Sequence, residues 1–307
     1  MKILVTGGAG FIGSHLVDAL VARGEEVLVI DDLSSGKRAY VNKEAKLVVQ
    51  DIRVPEVREV IRAFQPEAIF HLAAQKSVPE SLKHPRKDAE INLVGLCNIL
   101  EALPGIGLKK FILTSTGGAM YGDDAALPAG EELPERPSSP YGIAKLASER
   151  YVQSWSTLHN FQAITLRPAN VYGPRQDPLG EAGVIAILAK RAVEKQPMRV
   201  FGTGEHTRDY VYVADIVRAF LAALDSNTMG TFNIGSGKET SVLDIIQNLS
   251  HVVGNELPIE HQPEVVGEME RSALNATLAG TTLHWQPEIT LQEGIQKTYE
   301  WFRAANG

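Results

Sequence analysis

A single cysteine, Cys97, occurs in 307 residues, which excludes an intramolecular disulfide. Its setting, "NLVGLCNILEAL", reads as a helix face, so Cys97 is expected to be a small core hydrophobe and not a nucleophile. No apolar run approaches the length needed to cross a bilayer. Charge of one sign is never blocked, and the net charge is -7, which opposes nonspecific attraction to nucleic acid or anionic membrane. No His, Cys, Asp or Glu set has the spacing of a metal site, so none is expected. The chain runs into a strand, "KILVTG", with no signal-peptide pattern before it, and a reducing, cytoplasmic setting is expected. One further absence is local. The run "STGGAMYG", Ser115 to Gly122, contains no carboxylate and puts two glycines where a hydroxyl would suit its neighbours.

What is present is ordinary for a globular enzyme: 44% hydrophobic and 22% charged residues, on a chain long enough for a sizeable core. In the first half, short apolar runs alternate with helical patterns. "KILVTG" precedes a helix over about 10–23, then come "EVLVID" and "KLVVQD". A helix near 56–64, "EAIFHLAA", a long helix over about 85–103 and "KKFILTST" follow. This pattern predicts an α/β fold with a doubly wound parallel sheet, helices on both faces and ligands at the carboxyl ends of the strands. "SPYGIAKLASERYVQSWSTLH" predicts a helix with Ser139 as N-cap and Pro140 in its first turn. After Gly173 the elements shorten. The expected division is a nucleotide-binding domain over 1–172 and a smaller mixed α/β substrate lobe over 173–307. The two are interleaved, with segments near 205–230, including "RDYVYVAD", returning to the large sheet.

"TGGAGFIGSH" sets Gly7, Gly10 and Gly13 three apart after the first strand. Glycine allows a tight turn and close approach of backbone to a pyrophosphate, which the next helix N-terminus attracts. The second strand ends in Asp31, eighteen residues past Gly13. A carboxylate there accepts ribose hydroxyls and repels the extra phosphate of NADP, so NAD is the expected cofactor. Asp51 and Ile52 end the third strand where adenine would sit. Small Ala73 and Ala74 would admit the cofactor backbone, and Lys76 could reach its ribose or phosphate. His71 reads as a satisfied strand residue. Tyr141 and Lys145 form Tyr-x-x-x-Lys on one helical face. The ammonium is expected to lower the phenol pKa, making Tyr141 a usable base.

These segments, with "DDLSSG", "LRPANVYGPRQDPLGEAGVIAI" and "FNIGSG", resemble the extended short-chain dehydrogenase/reductase family of NAD-dependent epimerases and dehydratases, over nearly the whole chain. The resemblance implies a Rossmann-type sheet, bound NAD and 4-epimerisation of a UDP-hexose through a transient 4-ketone. It implies that Tyr141 takes the proton of the sugar 4-hydroxyl and that Lys145 holds the nicotinamide ribose. Gly117 stands where many relatives have a catalytic hydroxyl, and the glycines are expected to let the backbone turn so that Thr116 supplies it. The cofactor would be contacted by Phe11, Ile12, Asp32, Leu33, Ser34, Ser35, Gly36, Leu72, Gln75, Asn92, Ser115 and Pro168 as well as the residues above. The UDP-sugar would meet Ser77, Val78, Gly117, Gly118, Asn170, Val184, Arg208 and Glu268. Arg208 would pair with the diphosphate, as a guanidinium fork suits. The family also implies a homodimer through helices near 85–103 and 141–158.

Two departures bear on substrate. Val265 stands where relatives often have a diphosphate-binding arginine, and Ser272 falls where others limit bulk at the sugar C2. A UDP-N-acetylhexosamine or a UDP-uronate therefore stays open as substrate. A nucleotide-sugar reductase or dehydratase is the other alternative. Without an acid in 115–122, water cannot readily be expelled, which opposes dehydration and favours return of the hydride.

Overall fold

The computed structural model describes residues 1–178, 183–264 and 269–305. Its centre is a seven-stranded, all-parallel sheet. In chain order its strands are β1 (Lys2–Thr6), β2 (Glu26–Asp31), β3 (Lys46–Val49), β4 (Ala68–His71), β5 (Lys110–Thr114), β6 (Gln162–Pro168) and a later strand at Gly230–Ile234. The spatial order places β1 between β2 and β4. After β3 the chain crosses to the other side of β1, so the crevice for a ligand opens at the carboxyl ends of β1 and β4.

The strands are apolar on both faces because both are covered. Ile3, Val5, Val27 and Val29 face one core, which includes Trp285 and Phe220. Leu4, Leu28 and Ile30, one residue out of phase, face the other, which includes Phe111 and Leu96. The second face is covered by α2 (Val57–Phe64), α5 (Gly95–Ala102) and α6 (Pro140–His159). Between α2 and α5 lie α3 (Val78–Lys83) and α4 (Pro85–Ala89). A π-helical turn, Glu90–Val94, joins α4 to α5. The long helix expected over 85–103 is thus interrupted by one wide turn, which displaces the residues that follow. Helix α1 (Phe11–Ala22) packs on the first face.

Beyond Pro168, strand β7 (Asn170–Tyr172) leaves the sheet and pairs in parallel with a strand at Tyr210–Tyr212. The expectation that "RDYVYVAD" returns to the large sheet is corrected here. The returning strand is Gly230–Ile234, which pairs with β6 from Ile164 to Pro168. A proline at the end of β6 has no N–H with which to extend the ladder, and the chain diverges there. Helix α7 (Val184–Val193), β8 (Met198–Phe201), β9 (Thr207–Arg208) and β10 (Tyr210–Tyr212) lead to α8 (Val213–Asp225), which does pack on α1 and the large sheet. β11 (Gly230–Ile234) follows, then β12 (Thr240–Ser241), α9 (Val242–Val253), β13 (Ile259–Gln262), α10 (Thr277–Thr282) and α11 (Leu291–Ala305). A third core, with Leu188, Met198, Ile245 and Ile295, lies in the smaller lobe.

Candidate active site

The glycine loop divides its labour. A Cβ at Gly7, whose φ is +72°, would lie 2.7 Å from the Ala73 nitrogen, and one at Gly13 would lie 2.2 Å from the Gly7 oxygen. These two glycines bring protein backbones together. A Cβ at Gly10 would meet only the Gly7 oxygen, at 3.2 Å. Gly10 caps α1 with no side-chain hydrogen bond, so the first N–H groups of a twelve-residue helix stay available to an anion. Phe11 and Ile12 open that helix, half-buried, and exposed Lys76 and Ser35 line the same cleft. The sequence reading missed Lys37, Arg175 and, from α11, Trp301, which also line it.

Asp31 is buried at the end of β2 and accepts the Ala9 and Leu33 N–H groups, both at 2.9 Å. Burial raises its pKa. Each oxygen keeps a lone pair, so the carboxylate fits a ribose diol. Asp32 accepts from the Ser34 N–H and hydroxyl, and Gly36 passes close to Asp31 because it has no side chain. Asp51 is held by Arg53, and its pKa is lowered by that guanidinium. Leu72 and Ala73 bond back to Thr6, and Ala74 and Gln75 continue the loop, half-buried. His71 bonds to the Thr6 hydroxyl at 2.8 Å and is neutral, its pKa lowered to about 3 by burial.

Three residues expected at the cofactor have side chains that bond or pack within the protein. Ile52 is core, packed under Gly95. The Ser115 hydroxyl donates to Glu149 at 2.5 Å. Asn92, in the π-helical turn, donates to the Gln75 carbonyl and accepts the Gln75 N–H at 3.0 Å, so it shapes the loop after β4.

Tyr141 and Lys145 stand one turn apart on α6, with the lysine nitrogen 6.0 Å from the tyrosine ring centre. Ser139 caps this helix by accepting the Gly142 N–H. Thr116 lies close enough to the Tyr141 hydroxyl to lower the phenol pKa. Lys145 donates to the Thr114 carbonyl at 3.0 Å. Burial pushes the phenol up to about 12, against a lowering by Thr116, and Asp88 raises it further. Burial lowers Lys145 to about 8, while Asp88 and Glu149 hold it up. The expected lowering of the phenol by Lys145 is thus corrected: in the protein alone desolvation dominates and the phenol is raised.

The structure explains Gly117. A Cβ there would lie 2.2 Å from Leu274 Cδ1, so that side chain occupies the space a serine would need. The neighbouring hydroxyl, Thr116, is the one that bears on the Tyr141 phenol. Gly118 is open, and a Cβ there would come no nearer than 3.5 Å to Asn170 Oδ1, which puts Asn170 beside the same run. The Pro168 carbonyl accepts the Gly117 N–H. Ser77 caps α3 and Val78 opens it. Val184 opens α7 against the small-lobe core. Arg208, half-buried on β9, donates to the Thr207 carbonyl at 2.9 Å. Ser272 is buried. Val265 and Glu268 lie outside the described residues.

A second buried cluster was not anticipated. Arg167 donates to both oxygens of Glu149, to the Tyr121 hydroxyl and to Glu135. Its residues are far apart in sequence, and no spacing signals them. Among the described residues no group of three or more His, Cys, Asp or Glu is placed to hold a metal ion, and no helix is long and apolar enough to cross a membrane.

A glycine loop at the β1–β4 crevice, an acid ending β2 and a Tyr–Lys pair at the end of β5 define an enzyme of nucleotide-dependent hydride transfer. Residues 3–235 match the NAD dependent epimerase/dehydratase family, and the chain belongs to it. The chain is 43% identical to UDP-glucose 4-epimerase of Mycolicibacterium smegmatis, over 99% of both chains. It superposes with a TM-score of 0.97 on the UDP-glucose 4-epimerase of Thermotoga maritima solved with UDP-glucose, at 43% identity over 100% of both chains. The Thermus thermophilus UDP-glucose 4-epimerase complex with NAD gives a TM-score of 0.93 at 41% identity, over 99% of this chain and 100% of that one.

Proposed function

We propose that the protein interconverts UDP-glucose and UDP-galactose by NAD-dependent 4-epimerisation. The observation that carries this reading is Tyr141 one turn from buried Lys145, which is held to the Thr114 carbonyl, beside a run from 115 to 122 with no carboxylate. The uncapped α1 N-terminus suits the diphosphate of NAD, and Asp31 suits its ribose. Bound there, NAD supplies a hydride acceptor and a positive ring. Tyr141 takes the proton of the sugar 4-hydroxyl and later returns it. Thr116 orients that hydroxyl against the phenol. Lys145 keeps positive charge beneath the ribose. With no group in the run to expel water, the 4-ketone takes hydrogen back, and on the opposite face once it has turned. Asn170, next to Gly118, and Arg208 are assigned to the diphosphate of the sugar nucleotide.

The same reading assigns 1–172 with α8 and β11 to cofactor and the remainder of 173–307 to substrate. It also assigns a homodimer. Leu82, Val94, Ile143, Tyr151 and Leu158 are exposed apolar side chains on α3, the π-helical turn and α6, which pack beside one another. A single thiol suits the reducing cytoplasm, and the reaction suits galactose metabolism. Sedimentation of Ile143→Glu as a monomer would support the dimer, and an unchanged mass would remove that face from it.

The decisive experiment incubates the protein, without added cofactor, with UDP-glucose, UDP-N-acetylglucosamine and UDP-glucuronate. NMR then identifies the products. UDP-galactose from the first is expected. Turnover of either other sugar alone overturns the choice of substrate. Loss of deuterium from C4 to solvent overturns the hydride route.

A further inference from the structure

Asp88 is 1% exposed, and no motif singles it out. It lies on α4, one turn before Asn92. Its Oδ1 accepts from Gln75 Nε2 at 2.7 Å and from Asn92 Nδ2 at 3.1 Å. Gln75 is further tied through its side chain to Ser77, and through its backbone to Asn92. Thus one carboxylate oxygen joins the loop after β4 to the π-helical turn. The other oxygen, Oδ2, is buried with no hydrogen-bond partner among the described residues. A buried carboxylate left half-satisfied is unfavourable for stability alone, and such groups concentrate where function requires them. Helix α4 packs on α6, and the Asn92 carbonyl accepts the Ser148 hydroxyl three residues past Lys145, so Asp88 stands on the element packed against the helix that carries Tyr141 and Lys145. Burial raises the Asp88 carboxyl, and Gln75, Asn92 and Lys145 oppose that rise.

We propose that Asp88 is a positioning residue of the hydride-transfer centre: it clamps Gln75 and Asn92 and provides the buried counter-charge that keeps the Lys145 ammonium protonated behind Tyr141. The inference rests on the roles assigned above to Tyr141 and Lys145. The groups around Lys145 are Asp88 from α4, Glu149 and Tyr141 from its own helix, neutral His71 from β4 and the Thr114 carbonyl from β5. Glu149 is already paired with Arg167, so its charge is largely offset. Asp88 has amide donors and, among the described residues, no guanidinium or ammonium bonded to it. With Glu149 it opposes the desolvation of Lys145, and of the two it is the one not spent on an arginine.

The test is Asp88→Asn in the NAD-loaded enzyme, with kcat and KM for UDP-glucose measured across pH. A negative charge holds the Lys145 pKa up, so its removal lets the ammonium lose its proton at lower pH. The alkaline limb of kcat is expected to move toward acid by about one unit, with KM changed less than about twofold. Tyrosinate absorbance, assigned by difference from Tyr141→Phe, should also appear at lower pH. Asp88→Ser removes the same charge with room for water and is read identically if the asparagine variant fails to fold. An unmoved limb, with any loss uniform in pH and following NAD content, would leave Asp88 a structural clamp and overturn the proposal. Full activity in Tyr141→Phe would instead overturn the assigned chemistry, whatever Asp88 does.

Discussion

Two buried charged clusters share helix α6, and they are finished differently. Around Arg167, each charge has found its opposite. The guanidinium forks onto Glu149, reaches Glu135 and Tyr121, and Tyr121 in turn donates to Asn233. Burial works against the Arg167 charge, but Glu149 holds its pKa above the ordinary value. One turn earlier on the same helix, Lys145 has only a carbonyl acceptor, Asp88 Oδ2 and Thr114 Oγ1 have no partner among the described residues, and burial moves both Tyr141 and Lys145 toward neutrality. A saturated cluster holds the fold, whereas an unsaturated one is ready to take a partner and to move a proton.

That contrast can be broken by mutation. The largest effect is expected for Tyr141→Phe, which should lower kcat by about 10³-fold while leaving thermal stability near wild type. A similar loss, at unchanged stability, from an α6 residue other than Tyr141 and Lys145 would blur the distinction. Next, Arg167→Met strands Glu149 as a buried unpaired charge and should destabilise the protein by about 3–5 kcal/mol in denaturant titrations. Stability unchanged in that variant would deny the cluster its structural role. Thr116→Val should cost about a hundredfold in kcat, and unaltered turnover would remove Thr116 from the mechanism. Gly117→Ser forces Leu274 aside and should cost about 1–3 kcal/mol of stability. The accompanying change Leu274→Ala should recover part of it.

The last effect is a pH dependence, absent near neutrality and growing toward acid. His71 titrates near 3 folded and near the ordinary 6.5 unfolded. Its contribution is therefore fully present above about pH 6.5 and is lost as pH falls toward 3, because the unfolded chain takes up the proton first. His71→Asn should flatten the acid side of the melting-temperature profile. An unchanged slope would assign that loss to the carboxylates.

Much of this was legible because it is local. The glycine triplet, the acid ending β2, and Tyr141 with Lys145 one turn apart are each set by spacing along a single element. So are the strands, since alternate residues such as Leu4 and Val5 must meet opposite cores. What was not legible depends on elements remote in sequence. Leu274 decides that position 117 is glycine from 157 residues away. Strands 210–212 and 230–234 carry similar β-forming patterns, and only the docking of β11 against β6 tells which rejoins the sheet. Asn92, Ser115 and Ile52 lie in the right segments, but a π-helical turn, a buried glutamate and a neighbouring glycine turn their side chains to other tasks.

The sequence by itself therefore determined the class of fold, the glycine crevice and the pairing of Tyr141 with Lys145 on one helix face, because these follow from periodicity and from residue types a few positions apart. Tertiary structure alone decided the burial and charged surroundings that shift the pKa values of that pair, and the partners of its neighbours. A pKa depends on what surrounds a group in three dimensions. Here burial, Asp88 and Glu149 converge on Lys145 from two helices, an arrangement no linear spacing encodes.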